Sequence, residues 1–235
     1  MAKQPRITVL QPAPDVPLGR FDDWLADAGV RFSVIELWQK DVPQLAATGD
    51  GLLLLGGPMS VQSTNQNPWI DPLLDLLADA HSIDIPILGI CLGHQLLAAA
   101  LGGRVRVEDA AGGEHGLVRL DWTPQAADDP IFAPIAALGQ VPVAMYHNDV
   151  VADLPAGAVE LAYSPTYRNQ VFRLDSAWGV QFHPEKSPQM LRRRPADTEQ
   201  GYRAMVAELT AADTEISRAA QLVAVGFAKY VRAQS

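Results

Sequence analysis

The sequence predicts an α/β protein with a mostly parallel central sheet flanked by helices, a small antiparallel extension and a helical C-terminal tail. Three observations carry this expectation. Residues 6–90 alternate strand-like and helix-like patterns, which is the order of elements that builds parallel sheets. Two of the strand-like runs are apolar at successive positions, as strands covered on both faces must be. From about 104 the helical patterns stop and short strands joined by turn residues take over, until helical periodicity returns near 198.

Taken in order, "RITVLQ" (6–11) is a short β-branched run. "LGRFDDWLADAG" (18–29) places Phe21, Trp24, Leu25 and Ala28 at helical spacing, and Gly29 stops it. "VRFSVIEL" (30–37) predicts a second strand, and "DGLLLLGG" (50–57) a buried one ending in glycines. "PWIDPLLDLLADAH" (68–81) is an amphipathic helix and "IPILGI" (85–90) another buried strand. The later strands are "RVRV" (104–107), "GLVRL" (116–120), "QVPVAMYH" (140–147), "VELAYS" (159–164), "QVFRL" (170–174) and "WGVQFH" (178–183), the last returning to the main sheet. The tail, "TEQGYRAMVAELTAA" (198–212) and "TEISRAAQLVAVGFAKYVRA" (214–233), predicts two helices with Thr198 and Thr214 as N-caps. Neither repeats nor a flexible linker interrupt the 235 residues, so a single domain is expected, with a core over about 6–190 and the helical tail over about 191–235.

Composition narrows the functions. Apolar residues make up 48% of the chain, yet runs such as "LLLL" (52–55) are too short to span a bilayer. "MAKQPRITVLQ" has no apolar core of a signal peptide, so a reducing cytoplasmic setting is expected and no membrane partner. The formal charge of −9 argues against a nucleic-acid surface; the one basic run, Arg192-Arg193-Arg194, reads as a solvated face. One cysteine excludes an intrachain disulfide and a multi-thiolate metal site, and no histidine or carboxylate spacing suggests a metal or organic cofactor.

That cysteine lies in "GICLGHQLL" (89–97), where Gly89-Ile90-Cys91-Leu92-Gly93 has the form of a strand-to-helix elbow. An elbow presents Cys91 at the carboxyl edge of the sheet and at a helix N-terminus, where unpaired N–H groups favour a thiolate. The plain alternative is a small buried hydrophobe. A thiolate nucleophile needs a base and the base an orienter. Of five histidines, His81 is expected at the surface and His94 to pack locally. His183 ends a strand and is followed by Pro184 and Glu185. An extended chain there puts His183 and Glu185 on one side, the pattern of a Cys-His-Glu triad, unless His-Pro-Glu is only a surface turn. In "LLLLGGPMS" (52–60) the Gly56-Gly57-Pro58 turn lets backbone approach a ligand, so the N–H groups of Gly57 and Leu92 are candidates to hold an oxyanion.

Together "LLLLGGPMSV", "GICLGHQLLA" and "GVQFHPE", in that order, resemble the class I (triad) glutamine amidotransferase domain, in particular the glutaminase part of GMP synthase and its stand-alone relatives. The likeness covers roughly 7–190 and implies a flavodoxin-like fold. It implies that Cys91 forms a γ-glutamyl thioester with glutamine or a related γ-glutamyl small molecule, that His183 relays protons and that Glu185 orients His183. By the same resemblance Gly57 and Leu92 form the oxyanion hole, and Gln95 contacts the α-amino and carboxylate end of the substrate. Glu114, Gly116 and Leu117 would line the same pocket, with His147 and Asp149 of "MYHNDVV" (145–151) near its mouth. The chain departs from a whole GMP synthase in carrying no Gly-rich pyrophosphate loop, so it is not expected to make GMP alone.

Two versions of the activity stay open: delivery of ammonia to a separate synthase subunit, and autonomous hydrolysis of a γ-glutamyl metabolite or peptide. Two further alternatives are a non-catalytic module on the same scaffold and an unrelated hydrolase with a similar elbow. The intact Cys91, His183 and Glu185 speak against the first of these, and the order and company of the motifs against the second.

Overall fold

The computed structural model describes residues 4–191 and 197–235, so the Arg192-Arg193-Arg194 run lies outside the described residues. The first half alternates as the pattern predicts: β1 (Arg6–Gln11), α1 (Phe21–Asp27), β2 (Arg31–Glu36), β3 (Gly51–Leu54), α2 (Ile70–Ser82), β4 (Ile87–Ile90) and α3 (Leu92–Ala100). There follow β5 (Arg104–Arg106), β6 (Glu114–Trp122), the one-turn α4 (Ala133–Ala136), β7 (Val141–His147), β8 (Val150–Asp153), β9 (Val159–Tyr163), β10 (Val171–Leu174) and β11 (Ala177–Val180). The helices α5 (Glu199–Ala211) and α6 (Asp213–Gln234) complete the chain.

Nine of these strands form one sheet in the order β2-β1-β3-β4-β11-β10-β9-β6-β7. The first five are parallel to one another, and the last four continue the same sheet in antiparallel fashion. The antiparallel extension is therefore part of the main sheet, and only β5 and β8 pair apart from it. β11 pairs in parallel with β4, as expected of "WGVQFH", but the strand ends at Val180, three residues short of His183.

The run of four leucines is explained by two cores. Leu52 and Leu54 of β3 join Leu10 and Ile87 under α2 and α3, packing against Ile70, Leu73, Leu77, Leu96 and Leu97. Leu53 and Leu55 face the other way, with Ile7, Val9, Leu88 and Ile90, towards Phe21 and Leu25 of α1. A strand whose successive side chains enter opposite cores has no polar face to keep.

The second core also takes in α6. Ala219, Val223, Ala224, Phe227, Ala228 and Val231 are all buried in it, so the tail helix is the cover of one sheet face. At roughly 1.5–3 kcal/mol per large buried side chain, removing it would expose more than the fold can spare. Thr198 caps α5 as predicted, its side chain accepting from the Gly201 amide at 3.0 Å. Thr214 does not cap α6: the helix begins at Asp213 and Thr214 is already inside it. The turn from α5 is too tight to leave an extended residue there, since the Glu215 amide already bonds the Ala212 carbonyl at 3.0 Å.

Candidate active site

Four neighbouring parallel strands, β1, β3, β4 and β11, end on one rim, and the loops beyond them line a cavity of about 890 Å³. Asp15 follows β1, Gly57 follows β3, Cys91 follows β4 and His183 follows β11. The order of strands reverses between β1 and β3, the place where open α/β sheets leave a crevice.

Cys91 sits between β4 and α3 with φ 53° and ψ −105°, a conformation that side-chain-bearing residues rarely adopt. Its amide donates to the Val180 carbonyl at 2.8 Å, and its carbonyl accepts from Gln95 at 3.1 Å. The glycines make the elbow possible. A Cβ on Gly89 would overlap the Gly93 carbonyl, and one on Gly93 would overlap the Leu54 carbonyl. The thiol is 6% exposed, and Sγ lies 3.8 Å from the Tyr146 carbonyl.

His183 and Glu185 are both buried, with Nδ1 of the ring 2.8 Å from Oε1 of the carboxylate. The expected pairing is present, but by a different route. Residues 184 and 185 form a turn, with Lys186 N donating to the His183 carbonyl at 3.5 Å, instead of an extended strand end. The His183 amide is tied to the Ala144 carbonyl at 2.9 Å, and the Glu185 carbonyl accepts from Arg20 N at 2.9 Å. Gly56 lies against both reactive side chains: a Cβ there would be 3.0 Å from His183 Cε1 and 3.5 Å from Cys91 Cβ.

The electrostatics follow from this packing. Burial alone pushes His183 down, but the Glu185 carboxylate and the Cys91 thiol outweigh it and raise the imidazole to about 9. Burial pushes Glu185 up, and the facing His183 more than reverses this, holding the carboxyl below its ordinary value.

Gly57 and Leu92 adjoin each other, since a Cβ on Gly57 would stand 2.8 Å from Leu92 Cδ2. Leu92 opens α3, so its N–H belongs to the first turn, where amides lack helical partners. Gln95 lines the cavity with its amide nitrogen committed: Nε2 donates to the Asp149 carbonyl at 2.9 Å and to Gln181 Oε1 at 3.2 Å. Both amide hydrogens are thus used, and only Oε1, an acceptor, is left for a ligand.

Three expected pocket residues do not line the cavity. Glu114 is buried behind it, accepting from Ser164 Oγ at 2.7 Å and Gln170 Nε2 at 2.8 Å, with Oε2 3.4 Å from His147 Nε2. Gly116 (φ +94°) faces Met205 of α5, and Leu117 packs with Leu191, Leu209 and Ile216. Strand alternation is the reason: the β6–β7 ladder turns these positions to the tail helices or the interior. The same ladder brings His115, Tyr146 and His147 to the cavity, and Asn148 and Asp149 follow them.

This geometry is matched by comparison with known proteins. A family model described as glutamine amidotransferase class-I matches residues 21–199. The chain belongs to the class I glutamine amidotransferase family. Among curated relatives, one of the separate subunits of the glutamine-hydrolyzing GMP synthase of Saccharolobus solfataricus is 38% identical over 138 residues, 58% of this chain and 67% of that protein. The GMP synthase of Prochlorococcus marinus is 36% identical over 138 residues, 57% of this chain but only 24% of its own length. A solved glutamine amidotransferase from Thermotoga maritima superposes with a TM-score of 0.81 at 23% identity, covering 97% of this chain and 99% of the other; at that identity the likeness speaks for the fold.

Other histidines of this amidotransferase have structural settings. His94 is fully buried against Phe172, ring centroids 5.1 Å apart, and burial lowers it to about 3. His81 is mostly covered rather than at the surface, 3.4 Å from Asp175. Sequence patterns did not point to Tyr146, Lys186 or the Gly19–Arg20 contact with Glu185. The first two lie beside recognised motifs but carry no spacing of their own, and Gly19 reads only as a residue before a helix.

Among the described residues no helix is long and apolar enough to cross a membrane, and no group of three or more His, Cys, Asp or Glu could hold a metal ion.

Proposed function

We propose that this amidotransferase hydrolyses the side-chain amide of glutamine through a thioester on Cys91. The observation that carries the reading is Gly56 lying against both the thiol-bearing Cβ and the His183 ring, with Glu185 2.8 Å behind that ring. Thiol and imidazole meet across one small gap, and the carboxylate fixes the ring.

The thiolate attacks the amide carbon, and the developing oxyanion is held by the N–H groups of Gly57 and Leu92, each such donor contributing about 10²–10³ in rate. Protonated His183 gives its proton to the amide nitrogen, the C–N bond breaks and ammonia leaves. Neutral His183 then takes a proton from water, which attacks the thioester; collapse returns the thiolate and releases glutamate. Glu185 keeps the ring oriented and stabilises its charged form. Gln95 Oε1 accepts from the substrate's α-ammonium.

The Saccharolobus solfataricus relative is named as one separate subunit of a GMP synthase, which supports delivery of ammonia to a partner synthase chain. A second reading, autonomous hydrolysis of a larger γ-glutamyl amide, is favoured by the cavity of about 890 Å³, near the upper end of ligand-pocket sizes (~300–1,000 Å³).

The test is glutamate release from L-glutamine by the purified protein, with Cys91→Ala as control. Release by the wild type and none by the variant is expected. Undiminished release by Cys91→Ala overturns the thioester mechanism. Faster turnover of N-substituted γ-glutamyl amides than of glutamine selects the second reading.

A further inference from the structure

Gln95 leaves a substrate problem. With both its amide hydrogens given to Asp149 and Gln181, it offers the ligand an acceptor and no donor. Its orientation is fixed, because exchanging O and N would set Oε1 against the Asp149 carbonyl. An amino-acid substrate presents an α-ammonium, which that oxygen suits, and an α-carboxylate, which it does not. The described cavity wall also carries three acidic side chains, Asp15, Glu108 and Asp149, a field that opposes a carboxylate. Some group must supply the missing positive charge.

We propose that Lys186 is the specificity residue that takes the α-carboxylate of the γ-glutamyl group, an inference that rests on the glutaminase reading. Among the described lining residues it is the one side chain that is cationic throughout the neutral range. Its backbone belongs to the turn of His183 and Glu185, donating to the His183 carbonyl, so the side chain springs from a point fixed to the reactive pair. Its ammonium stands 5.9 Å from the centre of the Tyr146 ring, and the Tyr146 carbonyl is the group next to Sγ. A cation held over an aromatic face keeps hydrogen-bond donors for a second partner. No described carboxylate forms an ion pair with it. Its charge is close enough to lower both His183 and Glu185, which places it within electrostatic reach of the reacting atoms. Ser60, Ser63 and Asn148 also line the wall, but a neutral donor binds a carboxylate about half as strongly as an ammonium does.

The experiment compares L-glutamine with its α-amide, which has the same reacting group and no α-carboxylate. The wild type is expected to prefer glutamine by about 10- to 100-fold in kcat/KM, mostly through KM. In Lys186→Met that preference collapses to within about threefold, whereas Lys186→Arg keeps most of it. Lys186→Gln is made beside it, and circular dichroism identifies the variant that folds. A residue that only supports the turn would depress both substrates alike. A wild-type preference retained in the folded Met or Gln variant overturns the proposal. If the wild type turns over neither substrate, the glutaminase reading fails separately. The proposal is then decided by alkylation of Cys91, the only cysteine in the chain, with a glutamate-derived chloroketone and its α-amide. Loss of the preference for the free acid in Lys186→Met supports the proposal, and its persistence overturns it.

Discussion

The main-chain amide of Arg20 donates to the carbonyl of Glu185 at 2.9 Å, so the loop that starts α1 holds the turn bearing the carboxylate partner of His183. Gly19 makes this approach possible: its φ is +59°, and a Cβ on it would overlap the Glu185 carbonyl. The Arg20 guanidinium in turn reaches both carboxylate oxygens of Asp213, at 2.6 and 2.9 Å, at the start of α6. One short chain of contacts therefore joins the C-terminal helix to the site.

Gly19→Ala is expected to displace the Glu185 turn. The positive φ costs about 1–3 kcal/mol for a residue with a side chain, and the overlap forces the turn to move besides. Because Glu185 acts through ring orientation, kcat is expected to fall by about tenfold or more with KM changing less. Steady-state kinetics with a melting curve decide it. A folded variant with wild-type kcat would show that the contact is passive.

The parts legible in the sequence are those that impose a local signature. A strand covered on both sides has to read as "LLLL", and the close approach of β4, α3 and β3 admits only glycine at 89 and 93. The adjacency of His183 and Glu185 is written in their spacing, although the turn that joins them is not. What stayed hidden depends on which way side chains point in the folded hairpin. Glu114, Gly116 and Leu117 lie in the segment expected to meet the substrate, yet the β6–β7 register gives the cavity His115 instead. The role of α6 was equally hidden, because an amphipathic helix looks the same whether it covers a sheet or an interface.

The His183–Glu185 pair makes stability fall with rising pH above neutrality. His183 titrates at about 9 in the folded protein against 6.5 as its ordinary value. Between those values the folded state keeps a proton that the unfolded chain has lost, so the contribution is complete below about 6.5 and gone above about 9. Urea midpoints are expected to drop across that window. Glu185→Gln removes the charge that raises His183 and is expected to flatten the drop, while lowering kcat less than His183→Ala does. An unchanged slope in Glu185→Gln would mean that another group titrates there.

Gln95→Met tests the polar wall opposite the triad. The side chains are similar in length, but methionine donates nothing to the Asp149 carbonyl or to Gln181 Oε1 and leaves those buried acceptors unpaired. The Asp149 carbonyl keeps His147 Nδ1, 3.1 Å away, so the 147–149 turn should loosen without unfolding. The substrate loses the acceptor for its α-ammonium at the same time. A rise in KM of about 10- to 100-fold is expected, with kcat reduced less, because neither lost bond touches the reacting carbon. Gln95→Glu separates the two effects. It restores an acceptor for the α-ammonium but sets a carboxylate against the Asp149 carbonyl, so it should bind glutamine better than the methionine variant while melting lower. Equal KM values for the two variants would show that Gln95 serves the turn and not the ligand.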